Sequence, residues 1–343
     1  MSERIPVNVL TGFLGSGKTT LLNRLLRDPL FNNCAVLINE FGDIGIDHHL
    51  VDRVEGDIVL LQSGCICCTI RGDLASAMRD LYARRERGEI PAFVRLIIET
   101  TGLADPVPVL ATVMYDRVLQ YHFRVGNVIT TVDAVHGASN LAEYPESQKQ
   151  VALADRLVLT KLDIADPALL PALHQRLAEV NPSAPCLALD AKQLDARAIL
   201  GADVFDVASK TDEVAHWLQA TRQRNYLALA AARIPAAAAN VHRDIVAFAL
   251  DLPETVDWTV FSVWLSLLLH AYGGQVLRVK GLLNVEGSEA PVVVHGVQQL
   301  VHPPTHLERW PSDDHQSRLV VILRGLEPQR VQESLARYLS DCH

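Results

Sequence analysis

Short apolar runs alternate with amphipathic stretches through the first two-thirds of the chain. Such alternation predicts parallel strands joined by helices, and strands that are apolar on both faces predict a sheet covered by helices on each side. The predicted strands are residues 7–10, 35–38, 58–61, 94–98, 127–132 and 156–159. A helix is predicted directly after the first strand, over residues 20–26. This part of the chain is therefore expected to be an α/β domain with a mostly parallel sheet.

The pattern changes near residues 227–240, an alanine-rich segment that Pro235 interrupts. This composition is compatible with a helix or with a linker, and it marks a domain boundary. Beyond it, strands are predicted over 244–250, 276–285, 291–297 and 319–323, and helices over 256–269 and 328–339. We therefore predict a first domain over 1–225, a linker or connecting helix over 226–239, and a smaller C-terminal α+β domain over 240–343.

Length and charge restrict the functional classes. A chain of 343 residues is long enough for two domains. The formal net charge of −9 argues against a nucleic-acid partner, which requires a basic surface. The apolar stretch over 260–272 is too short to span a membrane, and no signal peptide is recognisable. A cytoplasmic protein without a membrane partner is expected.

A phosphate-binding motif lies between the first strand and the first helix. It matches G-x4-G-K-S/T, and its residues are Gly12, Phe13, Leu14, Gly15, Ser16, Gly17, Lys18 and Thr19, followed by Thr20. In such a loop, backbone N–H groups surround the phosphates. The lysine reaches the β- and γ-phosphates, and the hydroxyl of Thr19 binds Mg²⁺. The strand–loop–helix setting argues against a chance glycine turn.

Two further segments at strand ends carry carboxylates. Glu99 follows an apolar strand and precedes Gly102, which matches the Walker B and switch II position, so Glu99 is predicted to be catalytic and to contact nucleotide with Gly102. The alternative, a carboxylate that caps the next helix, fits Asp105 better than Glu99. Glu40 and Asp43 follow the second strand in a predicted switch I, where they complete the magnesium ligands.

The nucleotide base is predicted to be read by a segment at the end of the sixth strand. Thr160, Lys161 and Asp163 resemble the N-K-x-D box of GTPases, with threonine in place of asparagine. A carboxylate accepts hydrogen bonds from both N1 and N2 of guanine, whereas adenine lacks this donor pair, so the motif favours GTP. Such a short motif is weak by itself, and an N-cap role for Asp163 is equally compatible.

Half of the six cysteines lie within four positions, at Cys65, Cys67 and Cys68. Three thiolates suit Zn²⁺ and leave one tetrahedral position for water or a partner, an arrangement that favours metal transfer. A redox dithiol is the alternative, but C-x-x-C spacing is more usual for that chemistry. His48 and His49, near the predicted switch I, are candidates for an additional ligand, although an exposed loop is the commoner setting for such histidines. Three further histidines are not expected to be primary ligands: His302, His306 and His315.

Taken together, these motifs in this order closely resemble the CobW family of metallochaperone GTPases, a branch of the CobW/HypB/UreG superfamily. The resemblance extends into the C-terminal part, through residues 278–281, 295–298 and 318–320. It implies GTP hydrolysis to GDP with Mg²⁺ and transfer of metal from the three cysteines to a client metalloprotein. The chain lacks the histidine-rich run that some members carry.

The predicted function is a GTP-hydrolysing metallochaperone, with zinc favoured over cobalt or another transition metal. An alternative is a metal-buffering or metal-sensing protein whose nucleotide site is largely structural. A P-loop kinase is the third possibility, although no acceptor pocket or lid is recognisable. A homodimer is possible, and the client remains unidentified.

Overall fold

A computed structural model describes residues 4–29, 33–39, 59–63, 70–189, 196–200 and 244–341. The chain divides into two compact units, one formed by Met1–His174 with Cys186–Val204 and the other by Gln175–Pro185 with Phe205–His343. The linker or connecting helix predicted over 226–239 lies outside the described residues. Within the described ranges, no helix is both long and apolar enough to cross a membrane.

The first unit is built on a seven-stranded sheet in the order β3-β2-β4-β1-β5-β6-β7, and all of its neighbouring strands are parallel. Its strands are β1 (Ile5–Gly12), β2 (Cys34–Asn39), β3 (Val59–Ser63), β4 (Arg95–Glu99), β5 (Phe123–Asp133), β6 (Arg156–Thr160) and β7 (Cys186–Ala188). The predicted α/β fold class is confirmed. Six of the strands match predicted runs. The edge strand β7 was not predicted because three residues are too few for a recognisable pattern.

Helices connect or follow these strands. They are α1 (Lys18–Leu26), α2 (Ile70–Glu86), α3 (Val107–Tyr115), α4 (Leu119–His122), α5 (Gly137–Glu143), α6 (Pro145–Leu153), α7 (Leu170–Val180) and α8 (Ala196–Leu200). Leu21, Leu22 and Leu25 of α1 are fully buried in one cluster with Val36 and Ile97 of the sheet. This packing fixes α1 over the sheet, with its N-terminus at the end of β1.

The second unit contains a largely antiparallel sheet in the order β11-β10-β9-β13-β8, with β12 paired to β10. Its elements are β8 (Ile245–Asp251), α9 (Trp258–Tyr272), β9 (Val276–Leu283), β10 (Val292–Val297), β11 (Leu300–Val301), β12 (Thr305–His306), β13 (Arg318–Arg324) and α10 (Pro328–Asp341). The predicted α+β character is confirmed. The two-residue strands β11 and β12 were not predicted.

The helices of the second unit pack against its sheet through a continuous apolar cluster that includes Trp264 and Leu335. Asp257 caps α9 by accepting hydrogen bonds from the backbone N–H groups of Thr259 and Val260, at 2.7 and 3.0 Å. The indole N–H of Trp264 donates to the Ser334 hydroxyl at 3.2 Å. These contacts join α9 to α10 as well as to the sheet.

Candidate nucleotide-binding site

The carboxyl ends of the central strands meet at one edge of the parallel sheet. In the strand register, Leu10 pairs with Glu99, Gly12 pairs with Thr131, and Asp133 pairs with Thr160. Ligands of open α/β sheets bind at this edge, outside the carboxyl ends of the strands. The sheet therefore brings together the glycine-rich loop, the Glu99 segment and the Thr160 segment, as the sequence predicted.

Gly12 begins the loop between β1 and α1 in a conformation that favours glycine. Its φ angle is 145°, and an added Cβ would collide with the side chain and carbonyl of Thr131 on β5. The Ser16 hydroxyl lies 2.7 Å from the Thr131 hydroxyl, and both are buried. Thr131 of β5 thus packs against the loop and hydrogen-bonds to it, a contact that the motif alone does not indicate.

Lys18 and Thr19 open helix α1 with their polar groups turned toward the loop and the neighbouring strand. The Lys18 ammonium donates to the carbonyls of Gly12 and Phe13, at 3.0 and 3.2 Å. The Thr19 hydroxyl donates to Oε1 of Glu99 at 2.7 Å. The predicted lysine, hydroxyl and carboxylate therefore lie together at the N-terminus of α1, where the helix dipole favours an anion.

The segment after β4 passes directly against the glycine-rich loop. A Cβ at Gly102 would lie 2.6–2.8 Å from atoms of Leu14, so only glycine allows this approach. Asp105 accepts a hydrogen bond from the backbone N–H of Val107 at 3.1 Å, as expected for a carboxylate at the start of α3. Glu99 instead accepts a hydrogen bond from the Thr19 hydroxyl.

Thr160 connects the end of β6 to the glycine-rich loop. Its hydroxyl donates to the backbone carbonyl of Ser16 at 2.7 Å, and a second contact joins it to the carbonyl of Val132 at 3.3 Å. Thr160 itself is buried. The threonine that replaces asparagine in the N-K-x-D pattern thus forms a short hydrogen bond to the phosphate-binding loop.

Lys161 is held by Asp133, a residue that sequence reasoning missed. Its ammonium lies 2.6 Å from the Asp133 carboxylate, whose side chain is only 4% exposed. The φ of Lys161 is 58°, a left-handed conformation that costs about 1–2 kcal/mol for a residue with a Cβ. The partly buried ion pair and the surrounding backbone maintain this conformation. The signal available in the sequence was a carboxylate at a strand end, four positions before the first residue of α5 (Gly137–Glu143).

Asp133 is ionised in spite of its burial. Burial alone would raise the pKa of its carboxyl, but hydrogen bonds from Lys161 and from the backbone N–H groups of Val135 and His136 outweigh it and lower the pKa. The backbone bonds measure 2.8 and 3.3 Å. Because its pKa is lowered on folding, the ionised carboxylate of Asp133 stabilises the fold at pH values above the pKa of an ordinary carboxyl group. This stabilisation is lost as the pH falls through the lowered pKa of the folded state.

Asp163 lies in the turn after β6 with an exposed side chain. The structure shows no hydrogen bond from a described residue to its carboxylate. In the same turn, the carboxylate of Asp166 accepts a hydrogen bond from the backbone N–H of Ala168 at 2.9 Å. The N-cap alternative for Asp163 is therefore not realised among the described residues, and its carboxylate faces solvent near the nucleotide-binding edge.

Several predicted site residues lie outside the described residues. These are the magnesium candidates Glu40 and Asp43, the metal candidates Cys65, Cys67 and Cys68, and the histidines His48 and His49. The strands that precede them are described. Asn39 pairs with Ser63, and Ile38 pairs with Glu99, so β2, β3 and β4 end side by side. The last residues of β2 and β3, which precede the predicted switch I and the cysteine segment in the sequence, therefore lie next to each other, and β2 ends beside Glu99.

Family models match both units of the chain. The model described as "CobW/HypB/UreG, nucleotide-binding domain" matches residues 6–188, more than half of the chain. The model described as "Cobalamin synthesis protein cobW C-terminal domain" matches residues 245–339. The chain belongs to the CobW family. The match to the first model covers the phosphate-binding loop, the Cys-x-Cys-Cys segment and the Thr160–Asp163 turn together.

Individual CobW-family relatives resemble the chain along nearly its whole length. It is 32% identical over 332 residues to the zinc chaperone YjiA of Escherichia coli, covering 97% of this chain and 98% of that protein. It is 29% identical over 366 residues to the zinc chaperone CobW of Pseudomonas aeruginosa, covering 98% and 92%. The crystal structure of Zn(II)-bound YjiA GTPase from E. coli aligns with a TM-score of 0.68 at 27% identity, covering 98% and 99%.

Proposed function

We propose that this CobW-family protein is a GTP-hydrolysing metallochaperone that binds zinc at Cys65, Cys67 and Cys68 and delivers it to a client metalloprotein. The observation that carries the nucleotide half is the contact of Thr19 with Glu99 at the N-terminus of α1, with Lys18 inside the same loop. The metal half is supported by the cysteine spacing and by the zinc chaperones to which the chain is similar.

The described residues fit the chemistry of phosphoryl transfer to water. Lys18 neutralises charge on the transferred phosphoryl group. Glu99, which lies at the end of β4 and is 5% exposed, orients the attacking water. Gly102 offers its backbone N–H to the γ-phosphate. These roles need no covalent intermediate, because positioning and electrostatic stabilisation supply most of the rate acceleration in this reaction.

Magnesium fits the oxygen ligands at the same place. Thr19 would hold the ion through its hydroxyl, with Glu40 or Asp43 completing the ligands, and Glu99 lies within hydrogen-bond distance of Thr19. Hydroxyl and carboxylate oxygens are the ligands that Mg²⁺ prefers. When bound, the ion neutralises negative charge on the β- and γ-phosphate oxygens.

The base-reading role of Asp163 is tested by Asp163→Asn. The variant loses a charged acceptor for guanine, so GTP affinity should fall by about 1–3 kcal/mol, or about 5–150-fold, and ATP should compete better. The matched control is Asp166→Asn, three residues further along the same turn, which should keep wild-type affinity for both nucleotides. Competition binding with GTP, GDP and ATP makes the measurement. Equal wild-type affinities for ATP and GTP would refute the base-reading role.

Metal and nucleotide binding are proposed to be coupled through the neighbouring strand ends. Both switch segments respond to the γ-phosphate, and the cysteine segment leaves the sheet beside them, after Ser63 and next to Asn39. Rearrangement of the switches changes the coordination geometry of the three sulfurs. Zinc affinity should therefore differ between the GDP state and the state with a non-hydrolysable GTP analogue by about 5–150-fold.

Zinc titration with a competing chelator, in each nucleotide state, tests this coupling. By linkage, zinc must change the affinity for the GTP analogue by the same factor, which gives an independent check. The alternative function, a metal buffer or sensor with a structural nucleotide site, predicts equal zinc affinities and a turnover insensitive to zinc. Cobalt titrated in parallel determines whether zinc is preferred.

A further inference from the structure

Helix α6 (Pro145–Leu153) carries a buried glutamine that binds the segment following β4. Gln150 is 1% exposed, and its Nε2 donates to the carbonyls of Gly102 and Ala104, each at 3.1 Å. The helix is itself tied to β5, because the Thr130 hydroxyl donates to the backbone carbonyl of Gln150 at 3.0 Å. Gln150 thus links a fixed part of the core to the predicted switch II segment.

The chemistry of the amide suits this arrangement. An amide nitrogen carries two donor hydrogens, and each has one carbonyl acceptor here. The reversed orientation would place the amide oxygen against two carbonyl oxygens. The oxygen instead has no hydrogen-bond partner among the described residues, and Gln150 lines a small pocket together with the polar residues Ser16, Thr131 and Asn140.

Two further contacts join α6 and the residue before it to the segment that follows β4 and to the phosphate-binding loop. Lys149 forms an ion pair of 2.6 Å with Asp105, and the ring of Tyr144, just before α6, contacts that of Phe13 in a tilted arrangement with ring centroids 4.6 Å apart. Between these contacts, Gly102 lies against Leu14. The segment over residues 100–105 is therefore held between the phosphate-binding loop on one side and α6 on the other.

We propose that Gln150 is a positioning residue for GTP hydrolysis. Its two hydrogen bonds hold the 100–105 segment so that Glu99 and Gly102 face the γ-phosphate, and without them the segment populates positions in which these groups are misplaced. This inference rests on the proposed roles of Glu99 and Gly102. The segment responds to the γ-phosphate, which GTP carries and GDP lacks. Loss of the Gln150 hydrogen bonds should therefore lower the rate of hydrolysis and the affinity for GTP, and should leave the affinity for GDP unchanged.

The first test is Gln150→Leu, which preserves the approximate size of the side chain and removes both donors. We expect kcat to fall about tenfold, consistent with the loss of two ordinary hydrogen bonds, while GDP affinity stays within about twofold of wild type. The matched control is Gln148→Leu on the same helix, whose amide donates to the carbonyl of Leu141 at 2.8 Å and does not touch the 100–105 segment. The control should retain wild-type kcat.

The second test is the pH dependence of kcat in Gln150→Glu, measured over the pH range in which circular dichroism shows the variant to be folded. The introduced carboxyl is buried beside two carbonyl oxygens, so its pKa should be raised. Below that pKa it is neutral and donates one hydrogen bond to the segment. The kcat of Gln150→Glu relative to wild type should therefore rise as the pH falls from about 8 to about 6.

Wild-type kcat in folded Gln150→Leu, or equal losses of GTP and GDP affinity, would overturn the proposal. So would a kcat of Gln150→Glu, relative to wild type, that does not change with pH, a result that remains decisive if Gln150→Leu is poorly folded. Lys18→Ala in the same assay separates this proposal from the proposed function. Loss of turnover in Lys18→Ala with wild-type kcat in Gln150→Leu refutes only the role of Gln150, whereas wild-type turnover in Lys18→Ala refutes the nucleotide site itself.

Discussion

GTP turnover is expected to fall by about 10²–10³-fold when Lys18 is replaced by alanine, the range seen when one preorganised electrostatic donor is removed from an active site. The Lys18 ammonium lies inside the phosphate-binding loop, bonded to the carbonyls of Gly12 and Phe13. Binding of a triphosphate brings anionic oxygens to this place, and hydrolysis concentrates further charge on them. Alanine removes the positive charge and leaves the loop backbone in place.

The matched control for Lys18→Ala is Arg27→Ala. Arg27 is the C-cap of the same helix, about 13 Å from Lys18 at the helical rise, so the control removes the same charge from the far end. Arg27→Ala should retain turnover within about twofold. Steady-state phosphate release measures both variants, and circular dichroism establishes that each is folded. Unchanged hydrolysis in folded Lys18→Ala would falsify the assignment of the phosphate-binding loop.

The parallel sheet was predictable because its strands are short apolar runs separated by helices. Parallel strands that are buried on both faces are largely apolar, and β1, β4 and β6 follow this pattern, which makes them recognisable without any knowledge of their partners. The edge strand β7 is only partly buried and has three residues, so no such constraint acts on it. The phosphate-binding loop was predictable for a related reason, since its backbone conformation restricts which residues it accepts.

The supporting residues of the site were not predictable because their contacts join distant parts of the chain. Thr160 differs from the usual asparagine of its motif, yet its hydroxyl bonds the carbonyl of Ser16, 144 positions earlier. Gln150 contacts Gly102 across 48 positions. A polar residue in a short helix has many possible partners, and only the folded chain selects one. Spacing within a motif therefore indicates candidate nucleotide-binding groups more readily than it indicates the residues that support them.

Loss of tight zinc binding is the second large effect, expected when Cys65, Cys67 and Cys68 are replaced together by serine. A serine hydroxyl stays protonated at neutral pH and is a poor zinc ligand, whereas a metal-bound cysteine is a thiolate. Thiolate-rich zinc sites reach binding free energies of about 10–16 kcal/mol, so removal of all three ligands should lower the affinity by more than about 10³-fold. GDP affinity should remain at the wild-type value, because none of the three residues belongs to the phosphate-binding loop.

Two other cysteines of the chain provide the control for this triple variant. Burial raises the pKa of Cys34 to about 11, against the opposing effect of Arg95, and burial raises the pKa of Cys186 to about 12. Both are therefore neutral thiols at pH 7 and unsuited to binding zinc. The double variant Cys34→Ala, Cys186→Ala should keep one tight zinc equivalent in a chelator competition assay. If the triple serine variant keeps it as well, zinc is held by histidines and carboxylates elsewhere, and the coupling of metal to nucleotide cannot run through the segment between β3 and α2.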